Sequence, residues 1–535
     1  MSDRPTGNPR GTRSPVLARN GIIATSQPLA SAAGLQVLQT GGNAIDAAVT
    51  AAAVLGVVEP TMTGVGGDVF AIVYDGRTRA LRGLNSSGRA GARADADALL
   101  AKGITSMPAE GAYPITVPGA VAGWVELLEQ HGTIPLARAL APAIGYARDG
   151  FAVSQIIGAQ WEAAASRLDP AAAAVFLPGG RAPRPGAIFR NPDLAKTLEQ
   201  IARDGRDALY RGPVGATIAA DMRQRGGFLT AEDLAAHRAE WVEPISTTYR
   251  GYQLYELPPN TQGFVALEIL NILEGYDVPA FGHNGADYLH RFAEAKRIAF
   301  ADRAAHLADP ALVPADTLAQ LISKDYAAAR RRDIDDDRAA QDYASGVSFH
   351  GRDRGDTVYL AAADRQGNVV SFINSLFSDF GSGIVAPGTG VILHNRGLGF
   401  TLQPGHPNRL APGRRPLHTL VPAFLMKDGK PFMAFGVMGA DNQAQAHAQI
   451  VANVVDFGMN VQEAGEAPRV RHLDEGLAVE SGIPAAVLES LRQRGHVLLD
   501  GRGLVGGYQA VMIDQATGVL MGGSDPRKDG LAIGW

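Results

Sequence analysis

The sequence predicts an α/β sandwich whose helices and strands are drawn from both halves of the chain, and three observations lead there. Residues 44–57 are almost entirely apolar on every face of a helix, a pattern that points to burial inside a layered fold. Helical patterns broken by proline and glycine, with no fixed repeat, dominate residues 119–329. From Thr357 onward the pattern changes to strands, and a further hairpin is expected over 508–521.

In chain order, residues 1–20 are polar, carry Arg4, Arg10, Arg13 and Arg19, and read as a flexible tail. A short strand at 22–24 and an Ala-rich helix at 30–40 follow, and Gly41-Gly42-Asn43 caps the entry to the apolar helix. The turn Thr63-Gly64-Val65-Gly66-Gly67-Asp68 opens a strand over 69–74, which ends at the hairpin signal Asp75-Gly76. Helices are expected at 120–130, 136–148, 265–273 and 286–307. At about 331–356, Arg331-Arg332-Asp333 and Asp335-Asp336-Asp337-Arg338 lead into a stretch rich in Ser, Gly and Asp, the composition of a solvated, flexible linker. Strands at 357–363 and 369–374 then flank the turn Asp364-Arg365-Gln366-Gly367-Asn368. The chain so divides into a large segment, 21–356, and a small one, 357–535.

Composition limits the chemistry. The 535 residues, 46% hydrophobic and 19% charged, suit a globular protein with a large core. A net charge of -5 argues against nucleic acid or an anionic membrane as partner. The absence of cysteine removes thiol nucleophiles, disulfides and thiolate metal sites, leaving hydroxyl or carboxylate groups to carry any catalysis. No apolar run reaches the ~18 residues of a membrane helix, and none follows the N-terminal arginines as a secretory signal would, so cytoplasmic residence is expected. Gly64-Val65-Gly66-Gly67 lacks both the spacing of a dinucleotide loop and a P-loop lysine. The twelve histidines show no metal-ligand spacing, so His283, His290 and His447 are expected as hydrogen-bonding residues, and the acidic run at 335–337 lacks the glutamate of a calcium loop. No cofactor or metal is expected.

The run Gly355-Asp356-Thr357-Val358-Tyr359-Leu360 sets a threonine where the acidic linker meets a strand. Taken alone, it is a β-branched residue opening a strand. Its neighbours in order change that reading. Gly381-Ser382-Gly383, Pro387-Gly388-Thr389-Gly390 and Met438-Gly439-Ala440 follow it. Gly41-Gly42-Asn43-Ala44-Ile45-Asp46-Ala47-Ala48, Glu59-Pro60, Pro118-Gly119-Ala120-Val121-Ala122-Gly123-Trp124, Leu140-Ala141-Pro142-Ala143-Ile144 and Ala299-Phe300-Ala301-Asp302-Arg303 precede it, and Ala467-Pro468-Arg469 and Ser524-Asp525-Pro526-Arg527 close the series. With these motifs the chain resembles, from about residue 20 to its end, the γ-glutamyltransferase family of N-terminal-nucleophile hydrolases.

The resemblance implies a four-layer αββα sandwich built from both processed segments, with cleavage between Asp356 and Thr357 and a heterodimer of the two pieces, open to further oligomerisation. It assigns Thr357 as nucleophile, Ser375 as a second hydroxyl beside it, and the backbone amides of Gly439 and Ala440 as the oxyanion hole. The chemistry follows from one residue. A freed α-amine, with an ordinary pKa of about 7.7 to 8.0, is partly neutral near physiological pH and can take the proton of its own hydroxyl.

The residues aligned with the family's γ-glutamyl-binding groups are largely changed. Ser87 stands in place of a carboxylate-binding arginine, with Arg89 two residues later. Phe377 replaces an asparagine, and His394-Asn395-Arg396-Gly397-Leu398-Gly399-Phe400 replaces a segment that brings glutamine and aspartate to the substrate amine. His418 and Thr419 stand where two serines bind carboxylate, and the lid segment 401–413 is short. This resembles the branch containing glutathione hydrolase-like proteins, cephalosporin acylases and oxamate amidohydrolase. The expected substrate is a small acidic amide, oxamate-like or glutaryl-like, met by Arg89, Asn395, Arg396, His418 and Thr419. A γ-glutamyl hydrolase or transferase acting on glutathione and a non-catalytic scaffold are the alternatives, and Arg89 and Arg396 read equally as structural ion pairs.

Overall fold

Side-chain alternation along the strand Val358–Asp364 sets the layering. Val358, Leu360 and Ala362 pack with the helices Pro28–Gln39 and Ala44–Val58, whereas Tyr359, Ala361 and Ala363 face a second core containing Phe424, Ala434 and Val511. A strand buried on both faces lies between a helical layer and another sheet. The computed structural model describes residues 11–344 and 357–535.

One seven-stranded sheet runs in the order Leu531–Gly534, Gly21–Thr25, Val358–Asp364, Val369–Ser375, Asp68–Tyr74, Leu81–Ser86 and Glu240–Val242, antiparallel throughout. The other runs Val16–Ala18, Leu520–Ser524, Tyr508–Ile513, Lys430–Val437, Ala423–Lys427, Tyr252–Glu256 and Ile245–Tyr249. Its far face, including Leu254, Leu425, Phe435 and Met512, packs on the helices Gly263–Leu273, Ala286–His306 and Asn442–Val455. The fold is the expected αββα sandwich, and each sheet takes strands from before and after the linker.

All 15 residues of the helix Ala44–Val58 are buried. Its start is fixed by a reciprocal cap, in which the Asn43 side chain accepts from the Asp46 N–H at 2.9 Å and the Asp46 carboxylate accepts from the Asn43 N–H at 2.8 Å. The strands Val358–Asp364 and Val369–Ser375 and the helix Ala286–His306 lie within a residue of the ranges expected for them. Among the described residues no helix is long and apolar enough to cross a membrane.

Two expected stretches differ. The tail assigned to 1–20 gives way to an edge strand, Val16–Ala18, which pairs with Leu520–Ser524 because Val16 and Ala18 turn toward the inter-sheet core. Of the linker expected at about 331–356, residues 331–344 are fastened down. Arg331 Nε donates to the Ile272 carbonyl at 3.0 Å, and Tyr343 is buried with its hydroxyl donating to Glu294 at 2.8 Å. The rest of that linker, Asp356 included, lies outside the described residues, as does the tail before Gly11.

Candidate active site

The hairpin that carries Thr357 is pinned at its far end. Asp364 accepts the N–H groups of Gln366 at 2.9 Å and Asn368 at 3.1 Å, and its second oxygen accepts the N–H of Ala44 at 2.8 Å. Val358 pairs with Asn374, and Ser375 pairs with Asp68 on the next strand. The register therefore gathers Thr357, Ser375 and Asp68 at one end of the sheet. Thr357 Oγ1 donates to Ser375 Oγ at 3.2 Å, and both residues are buried.

Ser375 Oγ also accepts the Phe377 N–H at 2.8 Å and a guanidinium N–H of Arg396 at 3.3 Å. Arg396, on the 3₁₀ turn Arg396–Gly399, is only 1% exposed. It donates through Nη1 to Thr419 Oγ1 at 3.1 Å and lies 4.2 Å from the centroid of the Phe377 ring, which gives the buried cation an aromatic face. Phe377 holds a left-handed backbone, φ 81°, to bring its ring there. Burial pulls Arg396 down to about 9, against the pull of Asp68, so it keeps its charge near neutral pH.

Asp68 is the anion of the site. Its Oδ2 lies 3.1 Å from His418 Nε2, 3.4 Å from His394 Nδ1 and 4.0 Å from Arg396 Nε, while its Oδ1 accepts the N–H groups of Gly88 and Gly119, each at 3.2 Å. Burial works to raise this carboxyl, but the two imidazoles beside it hold it well below the usual carboxylate range. His418 accepts the Leu420 N–H on Nδ1, so its proton sits on Nε2, toward Asp68. Burial, with Arg396 nearby, drops His418 to about 3 and keeps it neutral.

On the other side, Gly439 and Ala440 take left-handed backbones, φ 110° and φ 50°. Their carbonyls accept the N–H groups of Asn442 and Gln443, at the entry to the helix Asn442–Val455. Neither of their own N–H groups finds an acceptor among the described residues. Gln262 ties this turn to the Arg396 side, donating to the carbonyls of Thr419 at 2.9 Å and Ala440 at 3.1 Å. Arg303 orients Gln262 at 2.6 Å and Asp441 at 2.5 Å.

Of the residues singled out from sequence, Thr357, Ser375, Arg396 and Thr419 form one hydrogen-bonded chain, and His418 reaches it through Asp68. Asn395 faces elsewhere, bracing the loop after Ser375 by bonds to the Ala109 carbonyl and to Ser378. Arg89 is half exposed and engaged by Glu240 and Asp309, both at 3.3 Å, and by the Gly413 carbonyl. None of its hydrogen bonds reaches Thr357, Ser375 or Arg396. Asp68, His394 and Gln262 were not anticipated as site residues. The signal for Asp68 was its place directly after Gly66-Gly67 at the start of a strand; Gln262 left none.

A family model described as gamma-glutamyltranspeptidase matches residues 30–535. The glutathione hydrolase-like YwrD proenzyme of Bacillus subtilis (strain 168) is 39% identical over 532 residues, covering 97% of this chain and 99% of the relative. The oxamate amidohydrolase proenzyme of Klebsiella pneumoniae is 36% identical, covering 97% of this chain and 99% of the relative. The crystal structure of cephalosporin acylase from Bacillus halodurans superposes with a TM-score of 0.92 at 43% identity, covering 100% of this chain and 99% of the other. The chain therefore belongs to the gamma-glutamyltranspeptidase family of enzymes.

Proposed function

We propose that this protein matures by splitting between Asp356 and Thr357, and that the freed Thr357 hydrolyses a small acidic amide through an acyl-threonine ester. The observation that carries the reading is the buried Thr357–Ser375 contact at 3.2 Å, with the Arg396 cation on the same serine at 3.3 Å. In maturation, Thr357 Oγ1 attacks the Asp356 carbonyl carbon. The peptide C–N bond breaks as the ester forms, freeing the Thr357 α-amine, and water then opens the ester to the Asp356 carboxylate and the Thr357 hydroxyl. In turnover that amine takes the hydroxyl proton as Oγ1 attacks the substrate carbonyl, and the Gly439 and Ala440 N–H groups hold the oxyanion. The proton passes to the leaving amine, and water hydrolyses the acyl ester to release the acid.

Charge supports the acidic acyl group. Arg396 presents a positive charge beside the nucleophile, and the oxygens of Asp68 are already taken up by His418, Gly88 and Gly119. A γ-glutamyl ammonium would meet a cation without a free carboxylate to pair with. Oxamate-like or glutaryl-like acids carry no such amine, which agrees with relatives named as an oxamate amidohydrolase and a cephalosporin acylase.

Mass spectrometry of purified protein is expected to give fragments 1–356 and 357–535, the second beginning Thr-Val-Tyr-Leu. They should separate only in denaturant, because Gly21–Thr25 and Asp68–Tyr74 flank the hairpin that starts the small fragment. An intact, active chain rules out this maturation. Steady-state kinetics should favour acidic amides over γ-glutamyl-p-nitroanilide and glutathione by about a hundredfold in kcat/KM. The reverse preference assigns the protein to γ-glutamyl chemistry instead.

A further inference from the structure

A cavity of about 380 Å³ lies between the helix Ala286–His306, residues 339–343 and the strands Val470–Leu473 and Gly476–Val479. That volume falls in the range of small-molecule pockets, roughly 300–1,000 Å³. Its charges are sorted by depth. Asp342, Asp474 and Glu475 stand exposed at the rim, whereas Lys296 and Arg303 are 4% and 5% exposed in its wall.

Lys296 is the unexplained group. Its Nζ donates to His472 Nδ1 at 3.4 Å and lies 3.7 Å from the centroid of the Phe300 ring. An ammonium has three N–H groups, and among the described residues Lys296 makes no ion pair and no second hydrogen bond. Arg303 beside it gives Nη1 to Gln262 and Asp441, while its buried Nε finds no hydrogen-bond partner among the described residues. The charged groups felt by Lys296 are Arg303 and Arg471 on one side and Asp441 and Asp474 on the other, and burial pulls its amine down to about 7. The half-buried His472 is itself held well below its ordinary value by burial and by Lys296, so it remains a neutral acceptor. A buried amine with open donors, beside empty space and with no carboxylate in hydrogen-bond contact among the described residues, lacks one partner.

We propose that this cavity binds a small carboxylic acid, whose carboxylate takes the open Nζ–H groups of Lys296. The site shares no side chain with the Thr357–Ser375–Arg396 chain and borders the Gly439–Ala440 turn only through Arg303, which also holds Gln262 and Asp441.

The test is calorimetric titration of glutarate into the full-length Thr357→Ala protein. Binding is expected to persist when Arg396→Ala is added, which excludes the acyl pocket, and to weaken at least tenfold with Lys296→Met. Lys296→Arg should restore part of it, and uncharged glutaramide should not bind. Reductive methylation of the unsubstituted Lys296, read by peptide mass, should slow when glutarate is present, a measurement that does not depend on how the variants fold. Glutarate affinity unchanged in Lys296→Met, no saturable binding in the Arg396→Ala background, equally tight binding of sulfate, or no protection from methylation would each overturn the proposal.

Discussion

Thr357 and Ser375 stand hydroxyl to hydroxyl in a buried setting, and the two substitutions at Thr357 separate the roles of its atoms. Thr357→Ala is expected to abolish both cleavage and turnover, since no other described hydroxyl sits on that backbone amine. Thr357→Ser should retain slow processing, because a primary hydroxyl can still attack; normal maturation of the alanine variant on a denaturing gel would sink the mechanism. Arg396→Ala should lower kcat/KM for acidic amides about a hundredfold, about 2.7 kcal/mol, while Asp68 keeps its bonds to His418, Gly88 and Gly119. Arg89→Ala should cost little, since its ion pairs to Glu240 and Asp309 are partly exposed and worth about 1 kcal/mol or less. Activity lost through Arg89 and not through Arg396 would reassign the carboxylate clamp. The contact between Thr357 and Ser375 was legible only through the family resemblance, which set the two hydroxyls side by side. Asp68 was not, because what makes it a site residue is the convergence of Gly88, Gly119, His394 and His418, four positions that only the fold brings together.

At the scale of elements, the site depends on a close approach between the turn at 63–67 and the strand Val369–Ser375. A Cβ on Gly67 would stand 2.5 Å from the Ser375 carbonyl oxygen, and the Gly67 carbonyl receives the N–H groups of Gly119 and Ala120. Neither backbone can yield cheaply, so Gly67→Ala is expected to cost about 1–3 kcal/mol and to push Ser375 away from Thr357. Apparent Tm and rate of self-cleavage should both fall, and a normally processed variant would show that the approach is not needed. The Gly439–Ala440 turn makes the complementary case: Ala440 holds φ 50°, which costs an alanine about 1–2 kcal/mol that glycine avoids. Ala440→Gly should raise the denaturant midpoint while leaving cleavage intact. The helix Ala44–Val58 and the hairpin after Thr357 could be read in advance because apolar periodicity and turn residues are local signals. The strand Val16–Ala18 and the fastening of residues 331–344 could not, because three residues carry no period and the anchors, Leu520–Ser524, Ile272 and Glu294, are distant in sequence.

Across the whole molecule, both segments bury neutral histidines, and this sets how the protein should respond to acid. Burial lowers His237 and His418 to about 3 and His496, beside His290, to about 4. His237 lies in the large segment and the other two in the small one. In the unfolded chain each would titrate near 6.5, so between about 6.5 and the folded values the unfolded state binds more protons. Stability therefore rises with pH through that window and is lost as pH falls, by up to about 1.4 kcal/mol per pH unit for each histidine. Asp68 acts later: its depressed carboxyl stabilises the fold above the unfolded value near 3.9 and loses that contribution only below it. Acid loss should thus begin near pH 6.5, well before carboxylates protonate, and should affect the two segments together because their strands alternate in one sheet. Scanning calorimetry of the mature protein between pH 7 and pH 4 should give an apparent Tm that falls steadily below 6.5. His496→Gln, which keeps an amide for hydrogen bonding but cannot take a proton, should reduce the slope. A Tm level down to pH 5 would mean that these histidines are hydrated or paired on protonation, and that the buried-neutral account of all three is wrong.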